Sequence, residues 1–432
     1  MNTTQSMRIP RRRWRIGWLL GIGVLVNYLD RVNLSVSQNA LFTTFAISSV
    51  TFGYLSSAYN WTYALCQLPM GLILDKFGIR RVGRISILVW SIASFAAAVA
   101  TSLTGLFSAR LLLGFGEAPI FPSNAKAVGL WFPPQERSFA TSLFDSAAKF
   151  APAIGVPLLG MVLIRIGWRW SFAATGFISV LFYLLFSYFY RDPKDDPGLT
   201  EIERQHIEQS SSTRPTVELA EEPARSLGTL LKQRKVWGMV LGFGGYNYVF
   251  YMLLNWLPGY LSMALHLDLS HSFLYTSFPW LFAAFCDLFI GGLLADALIQ
   301  RGWDASRVRK TILVGGTACG LGILGAATAR SPVPALLWIS LSIGGLSAAS
   351  AIGWSVPSLL APRNSVGTVG GIINLSNQLS GIAAAIVTGY VVDRLHSFAW
   401  AFGIATIYLA IGITAYLVLL GRIEPMFPSS TT

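Results

Sequence analysis

The chain has 432 residues, of which 53% are hydrophobic and only 12% charged, with a mean hydropathy of +0.55. A soluble domain carries about a quarter of its residues as charges, so a soluble enzyme or scaffold is excluded and an integral membrane protein is implied. The net charge of +12 does not indicate nucleic-acid binding, because the basic residues are sorted by loop rather than gathered on one soluble face.

Apolar stretches of about 20 residues, enough to cross a hydrocarbon core of roughly 30 Å as a helix, recur along the sequence and lack the period-two alternation of barrel strands. The predicted fold class is an all-α integral membrane protein with twelve transmembrane helices in two six-helix halves. In chain order, a basic start over 8–15 precedes the first span, 16–38. Asp30 and Arg31 interrupt its apolar run and no small-residue cleavage site follows, so it reads as a retained helix and not as a signal peptide. Spans 50–74, 82–102, 105–131, 138–164 and 170–190 complete an N-terminal half, 1–190. The segment 191–235, rich in Pro, Glu, Ser and Lys, reads as a cytoplasmic connector with a short surface helix around 200–209. Spans 237–264, 272–298, 310–329, 333–360, 366–392 and 398–420 form the C-terminal half, 236–432. Cys66, Cys286 and Cys319 fall inside spans, so neither a disulfide nor a Cys-rich metal site is implied.

The basic clusters at 8–15, 76–84, the connector and 301–310 lie on one side of this topology, whereas the opposite loops carry only Arg165, Arg169, Arg330 and Arg394. That asymmetry places both termini in the cytoplasm. The halves also repeat. Gly71-Leu72-Ile73-Leu74-Asp75-Lys76-Phe77-Gly78-Ile79-Arg80-Arg81 follows the second span, and Gly292-Leu293-Leu294-Ala295-Asp296, with Arg301-Gly302 and Arg309-Lys310, follows the eighth. Repeated halves are a mark of transporters. The expectation is that the glycines allow close helix contact, that Asp75 and Asp296 cap the next helix or face its positive end, and that Arg80 and Arg81 hold the short loop inside.

These residues resemble the major facilitator superfamily over essentially the whole chain. Within it, Asn27-Tyr28-Leu29-Asp30-Arg31-Val32-Asn33-Leu34-Ser35, Trp61-x-Tyr63-x-x-x-Gln67-x-Pro69-x-Gly71, Gly114-x-Gly116-Glu117-Ala118-Pro119-x-x-Pro122 and Trp131-Phe132-Pro133-Pro134-x-Glu136-Arg137 resemble the anion:cation symporter family. The similarity is greatest to its bacterial galactonate, glucarate and hexuronate carriers. The resemblance implies inward co-transport of an organic carboxylate with protons, with protonatable acids at the positions of Asp30 and Glu117. The expected partners are a small organic anion, protons and the lipid bilayer, with no cofactor beyond the coupling proton, no catalytic or metal site, a monomer as working unit and a bacterial inner membrane as location.

Charge inside a membrane is tolerated mainly where it lines a pathway. The first span runs outward and the fourth inward, which puts Arg31 and Glu117 at similar depth. Arg31 offers a planar five-donor fork suited to a carboxylate; equally, it could only neutralise Asp30 or Glu117. Tyr28 and Asn27 share its helix face and could bind hydroxyls, with Tyr63 a further contact. Glu117 and Asp30 are the candidate proton carriers, because burial favours a neutral carboxyl and a nearby arginine its anion. An ionised acid would pair with Arg31 or Arg110, and protonation would free that arginine for substrate. Arg110, seven residues before Glu117, either tunes that acid or anchors the outer end of the span.

Asp145 and Lys149, one turn apart, read as an intramembrane pair. If Lys149 instead faces the cavity, it favours a substrate with a second anionic group. The C-terminal half holds one intramembrane acid, Asp287, and no base, so proton coupling is assigned to the first half and Asp287 is left without a role. Among its amides and aromatics, the resemblance singles out Asn374 and then Ser355 for the hydroxyl-rich tail of a sugar acid. Gly114-Phe115-Gly116 lacks the strand and third glycine of a dinucleotide site, and no Walker loop is present. Gly155-Val156-Pro157 only partly matches the glycine-proline motif of drug–proton exchangers, which weakens an efflux reading.

Overall fold

A computed structural model of the chain describes residues 10–133, 136–212, 226–362 and 365–427; Arg8 and Pro134, used above, lie outside them. Among the described residues the chain is helical throughout. Helices α1 (Arg12–Val36), α2 (Gln38–Phe45), α3 (Ser49–Phe77), α4 (Ile79–Ala98), α5 (Leu103–Glu117), α6 (Ile120–Trp131), α7 (Arg137–Ile166) and α8 (Trp168–Phe189) precede the connector, whose predicted surface helix is α9 (Glu201–Ser212). After it come α10 (Leu227–Leu231), α11 (Arg234–Met263), α12 (Leu269–Cys286), α13 (Ala295–Gln300), α14 (Ala305–Gly320), α15 (Ile323–Thr328), α16 (Pro332–Leu360), α17 (Val366–Leu395) and α18 (Phe398–Ala415). Each of the twelve expected spans coincides with one helix or a run of helical segments. Nine of these are long and apolar enough to cross a membrane. Of the rest, α3 and α11 are diluted by polar residues such as Asn60, Gln67, Asn247 and Asn255.

Four spans depart from a single straight α-helix, the twelfth by ending in a π-helical turn over Tyr416–Leu420. The fourth breaks at Ala118–Pro119 into α5 and α6, since proline offers no N–H to continue the ladder. The ninth breaks between α14 and α15. The eighth widens into a π-helical stretch, Asp287–Leu294, before α13.

Helices enter their first turns through side-chain caps where the sequence supplies them. Ser48 accepts from the Thr51 amide at 3.2 Å, Ser102 from Gly105 at 3.1 Å and Asp304 from Arg307 at 2.7 Å. Of the two roles expected of Asp75, the cap on the next helix is not formed. Its exposed carboxylate pairs with Lys126 at 2.7 Å, and α4 begins at Ile79 behind Gly78, which supplies no side-chain cap. Asp296 is likewise exposed inside a continuous run of helical turns and caps nothing. Chain reversal rests instead on Gly78 and Gly302, at the two copies of the repeat, with φ of +76° and +90°. A side chain there is strained. Arg80, half-buried, and Arg81, exposed, then open α4.

The two groups of helices meet along α3 with α17 and α7 with α12, with α1 against α11 between them. At the end remote from the connector they close tightly. A Cβ on Gly53 would lie 2.6 Å from the Ala385 carbonyl oxygen and one on Gly389 2.5 Å from that of Ser49, so bare glycine backbones let α3 and α17 touch. Asn39 donates to Ser262 at 3.2 Å on the same end. Toward the connector α3 and α17 part. Gly71, expected to make a close helix contact, meets nothing within 4 Å, and neither do Gly367 and Gly370. At the connector end α3 and α17 therefore lack the close glycine contacts that join them at the other end.

The connector is clasped to the first group. Glu203, buried on α9, accepts the backbone N–H of Arg12 at 3.2 Å and of Arg13 at 3.0 Å, so it caps the start of α1 from a distant part of the chain. The Arg13 guanidinium adds a bond to Glu203 at 3.0 Å and a forked pair to Glu136 at 2.7 and 2.8 Å, and Arg12 reaches Asp196 at 2.8 Å. Removing such a cap costs about 0.5–2 kcal/mol. Glu203→Ala is expected to loosen α9, read as faster protease cleavage within the connector of the folded protein; unchanged cleavage would show that the clasp does not hold it. Arg13, through its hydrogen bonds, keeps the Glu136 carboxyl below its ordinary range. That contribution is complete above the ordinary carboxylate range and lost only as pH falls through the depressed value, so protection should persist at mildly acidic pH.

Candidate functional site

Four charged residues converge where α1, α4, α5 and α8 meet, all buried: Asp30, Arg31, Arg110 and Glu117. Arg31, on the face of α1 turned toward α3 and α5, donates from Nε to Glu117 Oε2 at 3.0 Å. Its guanidinium lies over the rings of Tyr28, Tyr59 and Tyr63 at 4.2, 4.6 and 5.3 Å. Aromatic faces stabilise a desolvated cation without competing for its N–H groups. The Arg31 Nη2 and Glu117 Oε1 atoms have no hydrogen-bond partner among the described residues, although both are buried. Each leaves one strong polar valence for another group.

Asp30 is not paired with Arg31, its neighbour in sequence. Ser94 of α4 donates to one carboxylate oxygen at 2.6 Å and Ser179 of α8 to the other at 2.9 Å, while Arg110 Nη1 reaches the Asp30 backbone carbonyl at 3.3 Å. Arg110 also lies 5.7 Å from the Tyr59 ring. Consecutive residues of a helix point about 100° apart, so Asp30 and Arg31 serve different sides of α1. Tyr59, Ser94 and Ser179 were not singled out from the sequence. Tyr59 alone carried a signal, one turn before Tyr63.

The opposite wall is neutral. Tyr251 of α11 donates to Gln378 at 3.4 Å. Gln378 also accepts from Asn60 at 2.8 Å and donates to Asn374 at 3.5 Å, and Asn374 donates to Gln67 at 3.0 Å. These amides join α3 to α17 just where the helices begin to part. Among the described residues, both amide atoms of Asn377 on α17 and of Asn27 on α1, and the amide nitrogen of Asn255 on α11, have no hydrogen-bond partner. The Ser355 hydroxyl donates to the Ile352 carbonyl of its own helix at 2.7 Å.

Lys149 does not stand free in the cavity. It is 1% exposed, bonds Asp145 at 2.5 Å and lies 3.4 Å from Asp287 across the junction of α7 with the π-helical stretch. A second substrate anion would have to displace two carboxylates from it. The sequence could pair Lys149 with Asp145 through their spacing, but the distant Asp287 gave no such cue. Among the described residues, no group of three or more His, Cys, Asp and Glu is placed to hold a metal ion.

A family model described as Major Facilitator Superfamily matches residues 20–385. An uncharacterized transporter of Bacillus subtilis is 36% identical over 98% of this chain and 98% of its own length. A D-galactonate transporter of Escherichia coli is 31% identical over 96% and 97% of the two chains. Among solved structures, a bacterial homologue of the human lysosomal transporter Spinster aligns with a TM-score of 0.72 over 95% of this chain and 97% of that one, at 17% identity.

Proposed function

The chain belongs to the major facilitator superfamily, and on that premise we propose that it is a proton-coupled symporter, not an enzyme, that imports a small organic carboxylate of the sugar-acid type. The observation that carries this reading is the buried Arg31–Glu117 pair with one unsatisfied donor and one unsatisfied acceptor, set between tyrosine faces and an amide-lined wall. A carboxylate substrate competes with Glu117 for the Arg31 fork. A proton on Glu117 removes the competitor, so only the site holding both proton and substrate, or neither, is electrically balanced when closed. Hydroxyls of the substrate tail exchange hydrogen bonds with Asn374, Gln378 and Tyr251. Because Lys149 is already neutralised, the reading favours an acid with one carboxylate, an aldonate, over a diacid. The similarity to a D-galactonate transporter supports the same class.

The surplus of basic residues at the connector end supports both termini on the cytoplasmic side of a bacterial inner membrane. The working unit is a monomer, and the coupling proton is the sole accessory species. The deciding experiment is uptake of labelled galactonate into vesicles carrying the purified protein, with glucarate as competitor. An inward proton gradient should drive accumulation at least several-fold above vesicles without the gradient. Absence of uptake for every carboxylate tried would end this reading.

A further inference from the structure

The contact between Lys149 and Asp287 joins the two helix groups at a place the Arg31 site does not use. Lys149 belongs to α7. Asp287 opens the π-helical stretch that follows α12, and this wider coil is a recurrent feature of functional sites within helices. The Lys149 and Asp287 side chains are almost fully buried, and Asp145, 13% exposed, is nearly so. One ammonium therefore faces two carboxylates in a dry setting. Their claims on it are unequal: Asp145, on the same helix, holds Lys149 at 2.5 Å, whereas Asp287 is 3.4 Å away across a surface between groups. Ser350 of α16 adds one bond to Asp287 at 3.3 Å. Tyr246 of α11 is a further ionisable side chain near the cluster, with Cys286 adjacent in sequence to Asp287 and Cys319 of α14 beyond it. None of these supplies a second positive charge.

A buried carboxylate without a cation of its own binds a proton. We propose that Asp287 is a second proton-binding residue, lying in the C-terminal half, whose proton is displaced when α7 closes on the π-helical stretch and brings Lys149 against it. This deepens the symport reading and rests on it. While the groups are apart at this junction, Asp287 takes a proton from water onto one carboxylate oxygen. When they close, as they are in this structure, the ammonium stabilises the carboxylate and the proton is released to water on the connector side. Substrate binding at Arg31 and proton release at Asp287 are then linked only through the movement of the two groups.

The test has one arm that needs no transport. Infrared titration of the purified protein in lipid vesicles should show a protonated-carboxyl band that falls as pH rises, and part of it should be missing in Asp287→Asn. Asp287→Asn leaves a neutral Lys149–Asp145 pair, so folding is not threatened by an orphaned charge. The double variant Lys149→Gln/Asp145→Asn, which leaves Asp287 with no cation, should keep its band to higher pH than the unsubstituted protein. In the second arm, reversal-potential measurements with galactonate should count one proton fewer per substrate in Asp287→Asn. An identical band in Asp287→Asn, or an unchanged proton count, would overturn the proposal. Failure of galactonate to move at all would sink the substrate reading while the infrared arm still decides the role of Asp287.

Discussion

Replacing Arg31 by lysine is expected to abolish carboxylate binding, with a loss on the order of a hundredfold to a thousandfold in affinity. Lysine keeps the charge but not the geometry. The guanidinium now satisfies Glu117 through Nε and still holds Nη2 for another acceptor, and its flat face spans three tyrosine rings. An ammonium on a shorter reach can serve one carboxylate at a time and stacks less well on aromatic faces. Breaking a buried, hydrogen-bonded charge pair costs about 3–5 kcal/mol, and each 1.4 kcal/mol is tenfold in affinity. Calorimetry or tryptophan quenching with galactonate checks it, and affinity retained within about fivefold would remove the forked grip from the mechanism.

Glu117→Gln is expected to separate exchange from accumulation. Glutamine preserves the size and one hydrogen-bond acceptor toward Arg31, so external and internal substrate should still swap. It carries no exchangeable proton, so the share of the accumulation driven by the Glu117 proton vanishes. One pH unit across the membrane supplies about 1.4 kcal/mol per coupled proton, or a factor of ten in accumulation, and that factor should fall to none for the Glu117 proton. Counterflow and gradient-driven uptake in the same vesicle preparation separate the outcomes. Concentrative uptake at the unsubstituted level would take Glu117 out of the coupling.

The fold was legible because its cause is local. A run of apolar residues must become a helix in lipid, where each backbone N–H and C=O needs an internal partner, so nine spans stand on length and hydropathy, and α3, α11 and the broken fourth span were placed from their apolar runs together with the repeat of the two halves. The breaks within them were less visible: Pro119 interrupts the fourth span, whereas Pro152 and Pro157 lie inside a continuous α7. Whether a proline severs a helix depends on what packs beside it. The charged residues of the site were equally legible, since burying Asp30, Arg31 or Glu117 demands a reason. Their pairing was not. Asp30 turned to Ser94 and Ser179, and Lys149 to Asp287, through contacts between elements far apart in sequence that no spacing rule encodes. Asp75 misled for a related reason. It lies in the last turn of α3, three residues before the glycine that precedes α4, and its carboxylate meets the Lys126 ammonium of α6.

The clasp of Glu203 on the first turn of α1 also bears on how the protein is made. The residues it joins are 191 apart in the chain, and at about 5–20 residues per second the ribosome needs roughly 10–40 s to supply the second after the first. For that interval the opening helix sits in the bilayer with its leading amides bare, free to tilt or slide. Its final seating is thus a late event, timed by translation of the segment between the halves, and a shortened or severed connector should impair assembly of a helix that was inserted long before.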